Sequence, residues 1–370
     1  MKQRLIAKIT TVLQHAPIVR HLARQKFVSQ FVTALVKSRN VQFCEVAQHL
    51  NDTVKLASNE TRIQDFFREV PLNYLLLAHL LLRLLPATGK LRLCIDRTEW
   101  DFGKCQVNIL LVTVGQDDFT LPLYWELLDN RSGNSNTADR IALLQVCVQV
   151  LGHHRIGLVI GEREFVGHAW LKWLKDNDLN FIMRLPKHHL LTYADGRQQA
   201  VAGLGLDQGQ VRHVASCQVD GGWGQVWVKA LAEQEFLFLF ATAGLNRLEQ
   251  LYRRRWTIEQ CFQNLKGRGF NPKASHLRCH LKLRKLVALV SLAYALCRSV
   301  GQLVHEKVKP VARKNNGYRA TSLSRHGLNI VCQLTRPQTL GQGQIARKIN
   351  TLLDWFIRQL TACQLTKIVG

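Results

Sequence analysis

From Lys2 to about Leu85 the apolar residues recur at helical spacing and alternating runs are few. In "LASNETRIQDFFREV" a capping-type start, Ser58 or Asn59, precedes the amphipathic "ETRIQDFF". These patterns predict a helical domain over residues 1–88, ending near "PATGK". After Lys90 the period changes: "LRLCIDRTEWDF" and "QVNILLVTVG" alternate as strands do, and "FTLPLYWELLD" follows a turn at Gly115 to Asp118. A helix from about Asn136, a buried strand "RIGLVIG" ending at Glu162, a short helix "GHAWLKWLKDND" and a strand "NFIMRLP" complete the pattern. This order predicts a mixed α/β sheet with helices on its faces. Residues 186–245, rich in Gly and short β runs, predict an inserted β subdomain, so the α/β core is 89–185 together with 246–275. The region 276–370 reads as helical and basic, with loops at "ARKNNGYRATSLSRHG" and "TRPQTLGQGQ". Its most apolar run, "LVALVSLAYALC", is shorter than the roughly 20 residues of a membrane span and predicts a buried helix.

Charge narrows the choice of partner. Lys plus Arg number 50 against 26 Asp plus Glu, a net +24, and from Gln260 to Gly370 the only acids are Glu306 and Asp354. A one-sided excess of this size suits a polyanion, and nucleic acid is the commonest. The ten cysteines form no CxxC pair and no zinc-finger block, which points to buried thiols in a reducing cytosol. Nothing at the N-terminus resembles a signal peptide, because charge and His interrupt it.

One short stretch stands apart. "LYRRRWTIEQCFQNLK" holds a single acid, Glu259, among four cations. On one continuous helix, at about 100° per residue, Tyr252, Arg255, Glu259 and Lys266 fall within about 60° of one another, beside an apolar face of Ile258, Phe262 and Leu265. An aromatic ring, two cations and an acid along one groove suit work on a phosphodiester: phosphate neutralisation, base stacking and metal binding. Helix geometry equally allows Glu259 simply to pair with Arg255 at i,i+4.

The spacing of Tyr252, Arg255, Glu259 and Lys266 resembles the Tyr-Arg-Glu-Lys signature of one branch of the bacterial DDE transposases, the insertion-sequence family numbered four. "CIDRTEWDFG" resembles that family's first acidic strand, "VIGEREFVGHAW" its second acidic motif, and "SNETRIQDFFRE" a helical stretch near its N-terminus. The resemblance implies an RNase H-like fold and assigns Asp96, Glu162 and Glu259 as catalytic, metal-holding acids for Mg²⁺, with Mn²⁺ as an alternative. It assigns Tyr252, Arg255 and Lys266 to DNA, and makes the helical region 1–88 a DNA-binding domain. An acid interrupting an apolar strand, as Asp96 does, is costly unless something compensates it. At the second motif the family has Asp where this chain has Glu162, and the extra methylene displaces the oxygens by on the order of 1 Å. Glu162 is therefore a slow working ligand, an inactivating change, or a surface acid paired with Arg155 or Arg163. Glu164, Asp176 and Asp178 are poor substitutes for it.

The resemblance implies metal-dependent cut-and-paste transposition. The protein, cytoplasmic and dimeric on DNA, cuts at terminal inverted repeats through a hairpin and joins the ends to target DNA, with no membrane involved. Trp223 and Trp227, on one face of an inserted strand, either stack on a flipped base or, preferably, pack the insertion's core. Two other readings remain: a catalytically impaired or repurposed DNA-binding descendant, and a sequence-independent nuclease on the same fold.

Overall fold

The computed structural model describes residues 2–86, 89–102, 105–128, 133–232, 235–336 and 343–362. The chain divides into two compact units, one of Met1–Pro86, Trp100–Val107 and Gln260–Gly370, the other of Ala87–Glu99 and Asn108–Glu259.

The first unit is mainly helical. It begins with α1 (Lys2–His15), α2 (Leu22–Ser38), α3 (Phe43–Ala47), α4 (Leu56–Glu69) and α5 (Tyr74–Arg83). Helix α4 starts ahead of the expected cap. Lys55 occupies the N-cap without a side-chain bond, and Ser58 and Asn59 lie inside the helix. Asn59 is instead buried, donating to Ala47 O at 3.2 Å and Asn51 O at 2.9 Å, so tertiary contacts outweigh its local preference for a cap.

The second unit is built on a ten-stranded sheet of order β3-β2-β1-β4-β5-β10-β9-β8-β6-β7. In chain order come β1 (Leu91–Phe102), β2 (Cys105–Gln116), β3 (Phe119–Leu128), α6 (Thr137–Leu151), β4 (Ile156–Gly161), α7 (His168–Asp176) and β5 (Phe181–Arg184). Pro122 is tolerated because β3 is an edge strand. Asn136 caps α6, accepting from Asp139 N at 2.8 Å. Strands β1, β4 and β5 are parallel neighbours. Antiparallel β2 and β3 beside the parallel β1, β4 and β5 agree with the RNase H-like sheet that the resemblance implies.

The strands of the 186–245 region continue this sheet. They are β6 (Leu190–Thr192), β7 (Gln198–Ala200), β8 (Val211–Val219), β9 (Gly222–Ala232) and β10 (Glu235–Ala241), and β10 pairs antiparallel with β5. On β9, Gly224, Val226 and Val228 face the interior, whereas Trp223 is 41% exposed and Trp227 half-buried. Neither tryptophan therefore belongs to a closed core. The alternation of the strand gives the buried face to its smaller residues.

The signature stretch is not one helix. α8 (Leu248–Arg253) ends in a turn at Arg254 and Arg255, α9 (Trp256–Leu265) follows, and a π-helical turn occupies Lys266–Phe270. Across the break Arg255 N bonds Tyr252 O at 2.8 Å and Ile258 N bonds Arg255 O at 2.9 Å, three residues back rather than four. Thr257 Oγ1 takes the Arg254 carbonyl at 2.8 Å, giving it a partner other than a helix amide.

The remaining helices of the first unit are α10 (His280–Lys307), α11 (Leu323–Gln333) and α12 (Gly343–Thr361). α10 is long and apolar enough to cross a membrane by length and composition, yet 89% of its most apolar window is buried in the protein, as expected for "LVALVSLAYALC". α10 and α11 approach through Gly301 and Gly327, where a Cβ on either would collide with the other helix's backbone. Positions 337–342 of the loop expected at "TRPQTLGQGQ" lie outside the described residues.

Candidate active site

Parallel register brings the first two acids together. The β1·β4 ladder pairs Cys94 with Ile160 and Ile95 with Gly161, so Asp96 and Glu162 are the next residues at the carboxyl ends of adjacent strands. The β4·β5 ladder pairs Gly161 with Met183, which places Arg184 next in the same row. Sheet edges of this kind are where open α/β proteins gather functional side chains. Gly161 is required there because a Cβ would meet Met183 Sδ and Phe165 Cβ, and its absence lets the chain turn tightly behind Glu162.

The guanidinium of Arg255 lies at the centre of the site. Its Nη1 is 3.5 Å from Asp96 Oδ2, its Nη2 donates to Glu259 Oε1 at 2.6 Å, and its Nε lies 2.8 Å from Glu162 Oε1. The last is an ion contact off the N–H axis rather than a hydrogen bond. The helix break makes this possible by leaving Arg255 in a turn between α8 and α9 instead of on a solvent-facing stripe. The i,i+4 pair of Arg255 with Glu259 does form, as one part of a three-acid set.

Each acid has further surroundings. Glu162 accepts from the Tyr252 hydroxyl at 2.6 Å and lies 3.7 Å from Arg184 Nη1. Its partners are thus neither the Arg155 nor the Arg163 side chain that a surface role would use. Asp96 accepts from the backbone N–H of Arg97 at 2.8 Å. Burial pushes the Asp96 carboxyl up to about 7, more than the Arg97 amide and the Arg255 charge pull it down. Burial also works against the charge on Arg255, but Glu162, Tyr252 and Glu259 outweigh it and raise its pKa. Burial and the neighbouring Glu162 charge raise the Tyr252 hydroxyl, so it remains a donor.

Two expected DNA-facing residues have other surroundings. Tyr252 is 6% exposed, its ring covered and its hydroxyl committed to Glu162 just past the end of β4. Lys266 lies in the first unit, its amine 5.8 Å from the Trp100 ring centre and 6.0 Å from that of Phe262. Trp227 lines a cavity of about 380 Å³ with His213, Gln225 and Arg247.

The donor set is all oxygen, which suits a hard divalent cation such as Mg²⁺ or Mn²⁺. Three carboxylates, Asp96, Glu162 and Glu259, face two guanidiniums, Arg255 and the more distant Arg184, which leaves a negative excess in a chain of net charge +24. Among the described residues no three acid, His or Cys side chains are gathered tightly enough to hold one ion. The position between the carboxylates is taken by the Arg255 guanidinium. The acids therefore fit a divalent ion in donor type and charge, with Arg255 as the cation an ion would replace.

Glu164, set aside on sequence, is also partly buried near the site, its side chain 12% exposed. Its Oε2 accepts from Arg97 Nε at 3.0 Å and its Oε1 from Ser135 Oγ at 2.8 Å. The signal for it was the neighbour of each strand-end acid, Arg97 after Asp96 and Glu164 two beyond Glu162.

Comparison with curated proteins gives no match. Among solved structures the chain is similar to a piggyBac transposase in a synaptic complex with hairpin DNA, determined by cryo-EM. The two share 10% sequence identity with a TM-score of 0.44, over 94% of this chain and 82% of that one. Residues 88–296, more than half of the sequence, match the transposase DDE domain, and the chain belongs to that family of DNA transposases.

Proposed function

We propose that this protein is a metal-dependent cut-and-paste transposase of the branch with the Tyr-Arg-Glu-Lys signature, with Asp96, Glu162 and Glu259 as its metal-holding acids. The observation that carries this reading is the convergence of those three carboxylates, from β1, the end of β4 and α9, on one guanidinium. A divalent ion bound there, Mg²⁺ or Mn²⁺, would supply Lewis-acid activation of water and of the scissile phosphate. The chain's own residues do the rest. Tyr252 holds Glu162 in place through its hydroxyl. With an ion on the acids Arg255 would be available for a backbone phosphate, and Lys266 would be a further cation for DNA. The substrate is duplex DNA bearing the terminal inverted repeats of its own element, cut and joined to target DNA by a homodimer, with a hairpin between the two steps.

A labelled terminal-repeat duplex incubated with Mg²⁺ or Mn²⁺ tests this reading. The native chain should cut at the repeat boundary, and Asp96→Asn or Glu259→Gln should slow cleavage at least ~10³-fold while duplex binding changes little. Equal cutting by the variants would refute the assignment. The second reading, a descendant that holds DNA ends but no longer cuts, draws on Glu162 standing where the family has Asp. It predicts no cleavage by the native chain and recovery in Glu162→Asp.

A further inference from the structure

We propose that Arg97 and Glu164 form a positioning pair that sets the spacing of the two strand-end acids, Asp96 and Glu162; the inference rests on the reading of those acids as metal ligands. The β1·β4 ladder stops at the Ile95 and Gly161 rung, so both acids lie one residue beyond the last rung. The backbone past that point has no rung to hold β1 against the segment following β4. The next tie between these segments is the ion pair of Arg97 Nε with Glu164 Oε2 at 3.0 Å. Arg97 directly follows Asp96 and donates its backbone N–H to that carboxylate at 2.8 Å. Glu164 lies two residues beyond Glu162, in a tight turn closed by Phe165 N to Glu162 O at 2.9 Å.

The pair is withdrawn from water and anchored at both ends. Its side chains are 18% and 12% exposed, whereas Lys172 and Asp176, an ordinary surface pair, are 61% and 55% exposed. On one side Arg97 Nη1 donates to Glu99 Oε1 at 2.6 Å and to Asn108 Oδ1 at 3.2 Å, which ties the pair to β2. On the other, Ser135 Oγ donates to Glu164 Oε1 at 2.8 Å and accepts from Arg140 Nε at 2.9 Å, which ties it to the start of α6. The Arg140 guanidinium in turn covers the fully buried Phe165 ring, 5.2 Å from its centre. A ligand pair must be held to about 0.5 Å to share ions, and partners behind the ligands typically set metal affinity about 10- to 100-fold. Residues so placed act through Asp96 and Glu162 and touch neither substrate nor ion.

Mn²⁺ titration of the DNA-free full chain by calorimetry, with thermal melting in parallel, tests the proposal. Asp96→Asn should abolish Mn²⁺ uptake. Glu164→Gln should weaken it about 10- to 100-fold, with the electron paramagnetic resonance lines of bound Mn²⁺ broadened. Adding Arg97→Gln to Glu164→Gln should weaken uptake no further than either change alone, since both cut the same tie. Should Glu164→Gln not fold, Arg97→Lys replaces it: the charge is kept, the fork geometry is lost, and the same weakening is expected. Native-like Mn²⁺ affinity in these variants, alongside loss in Asp96→Asn, overturns the positioning role and leaves the assignment of the acids standing. Mn²⁺ uptake by the native chain that Asp96→Asn leaves unchanged overturns the assignment of the acids, and the positioning role with it.

Discussion

Two arginine-centred clusters share β1, and their charge balance differs. Around Arg97 the count is even: Arg97 and Arg140 stand against Glu99 and Glu164, with Ser135 and Asn108 as neutral partners between them. Around Arg255 it is uneven, two guanidiniums against Asp96, Glu162 and Glu259, and the most buried of these acids has its carboxyl pushed up to about 7. A balanced, cross-tied cluster holds a fold in one arrangement. The unbalanced one beside it has three carboxylates against two guanidiniums, a difference that the proposed divalent ion would offset. The contrast separates two similar-looking sets of side chains by their charge balance alone.

The largest break in that contrast comes from Arg255→Gln, which leaves three carboxylates with only the more distant Arg184, beside Glu162, against them. Unfolding by urea without metal should show a loss on the order of 2–3 kcal/mol, below the value for a fully buried pair because Glu259 is 39% exposed. Mn²⁺ should restore most of the loss in Arg255→Gln and clearly less in Arg97→Gln, whose acids bind the ion more weakly. An equal metal rescue of the two variants would erase the distinction between the clusters.

A comparable effect should appear as pH dependence. The Asp96 pKa is raised from 3.8 to about 7, so between those values the folded protein keeps a proton that the unfolded chain has released. Stability from this group is therefore present below about pH 4 and lost as pH rises to 7. Asp96→Asn carries no charge and escapes the loss. Metal-free, its stability relative to the native chain should climb from near zero at pH 4 to roughly 2–3 kcal/mol at pH 8. A flat difference across that range would contradict the burial argument.

The smallest effect belongs to Tyr252→Phe, which removes one hydroxyl from Glu162 and leaves the ring packing intact. A cost of about 1–2 kcal/mol in urea unfolding is expected, as for a hydrogen bond to a charged acceptor. Loss of duplex binding instead would return Tyr252 to the DNA-contact role suggested by its place in the signature.

Much of the architecture could be read from the sequence because it depends on local periodicity. The alternation of "LRLCIDRTEWDF", the apolar run before Glu162 and the Asn136 cap are short-range signals, and β1, β4 and α6 lie where they predict. That Asp96, Glu162 and Glu259 lie around one point was legible through the resemblance, and Asp96 also because it interrupts an apolar strand. The centre of the site was not. Helical spacing turned Arg255 toward DNA, whereas the chain breaks at Arg254 and Arg255 and the guanidinium faces the acids, a result of long-range strand register together with Thr257's hold on the Arg254 carbonyl. Glu164 escaped for the same reason, since its partner Arg97 is 67 residues away in the chain.

The central claim is the proposal that Asp96, Glu162 and Glu259 hold one divalent-cation site. Equilibrium Mn²⁺ binding to the metal-free native chain and to Asp96→Asn, Glu162→Gln and Glu259→Gln, measured separately, tests it most directly. The account predicts uptake by the native chain and at least ~10-fold weaker binding in each variant. A variant that binds Mn²⁺ as tightly as the native chain would contradict it.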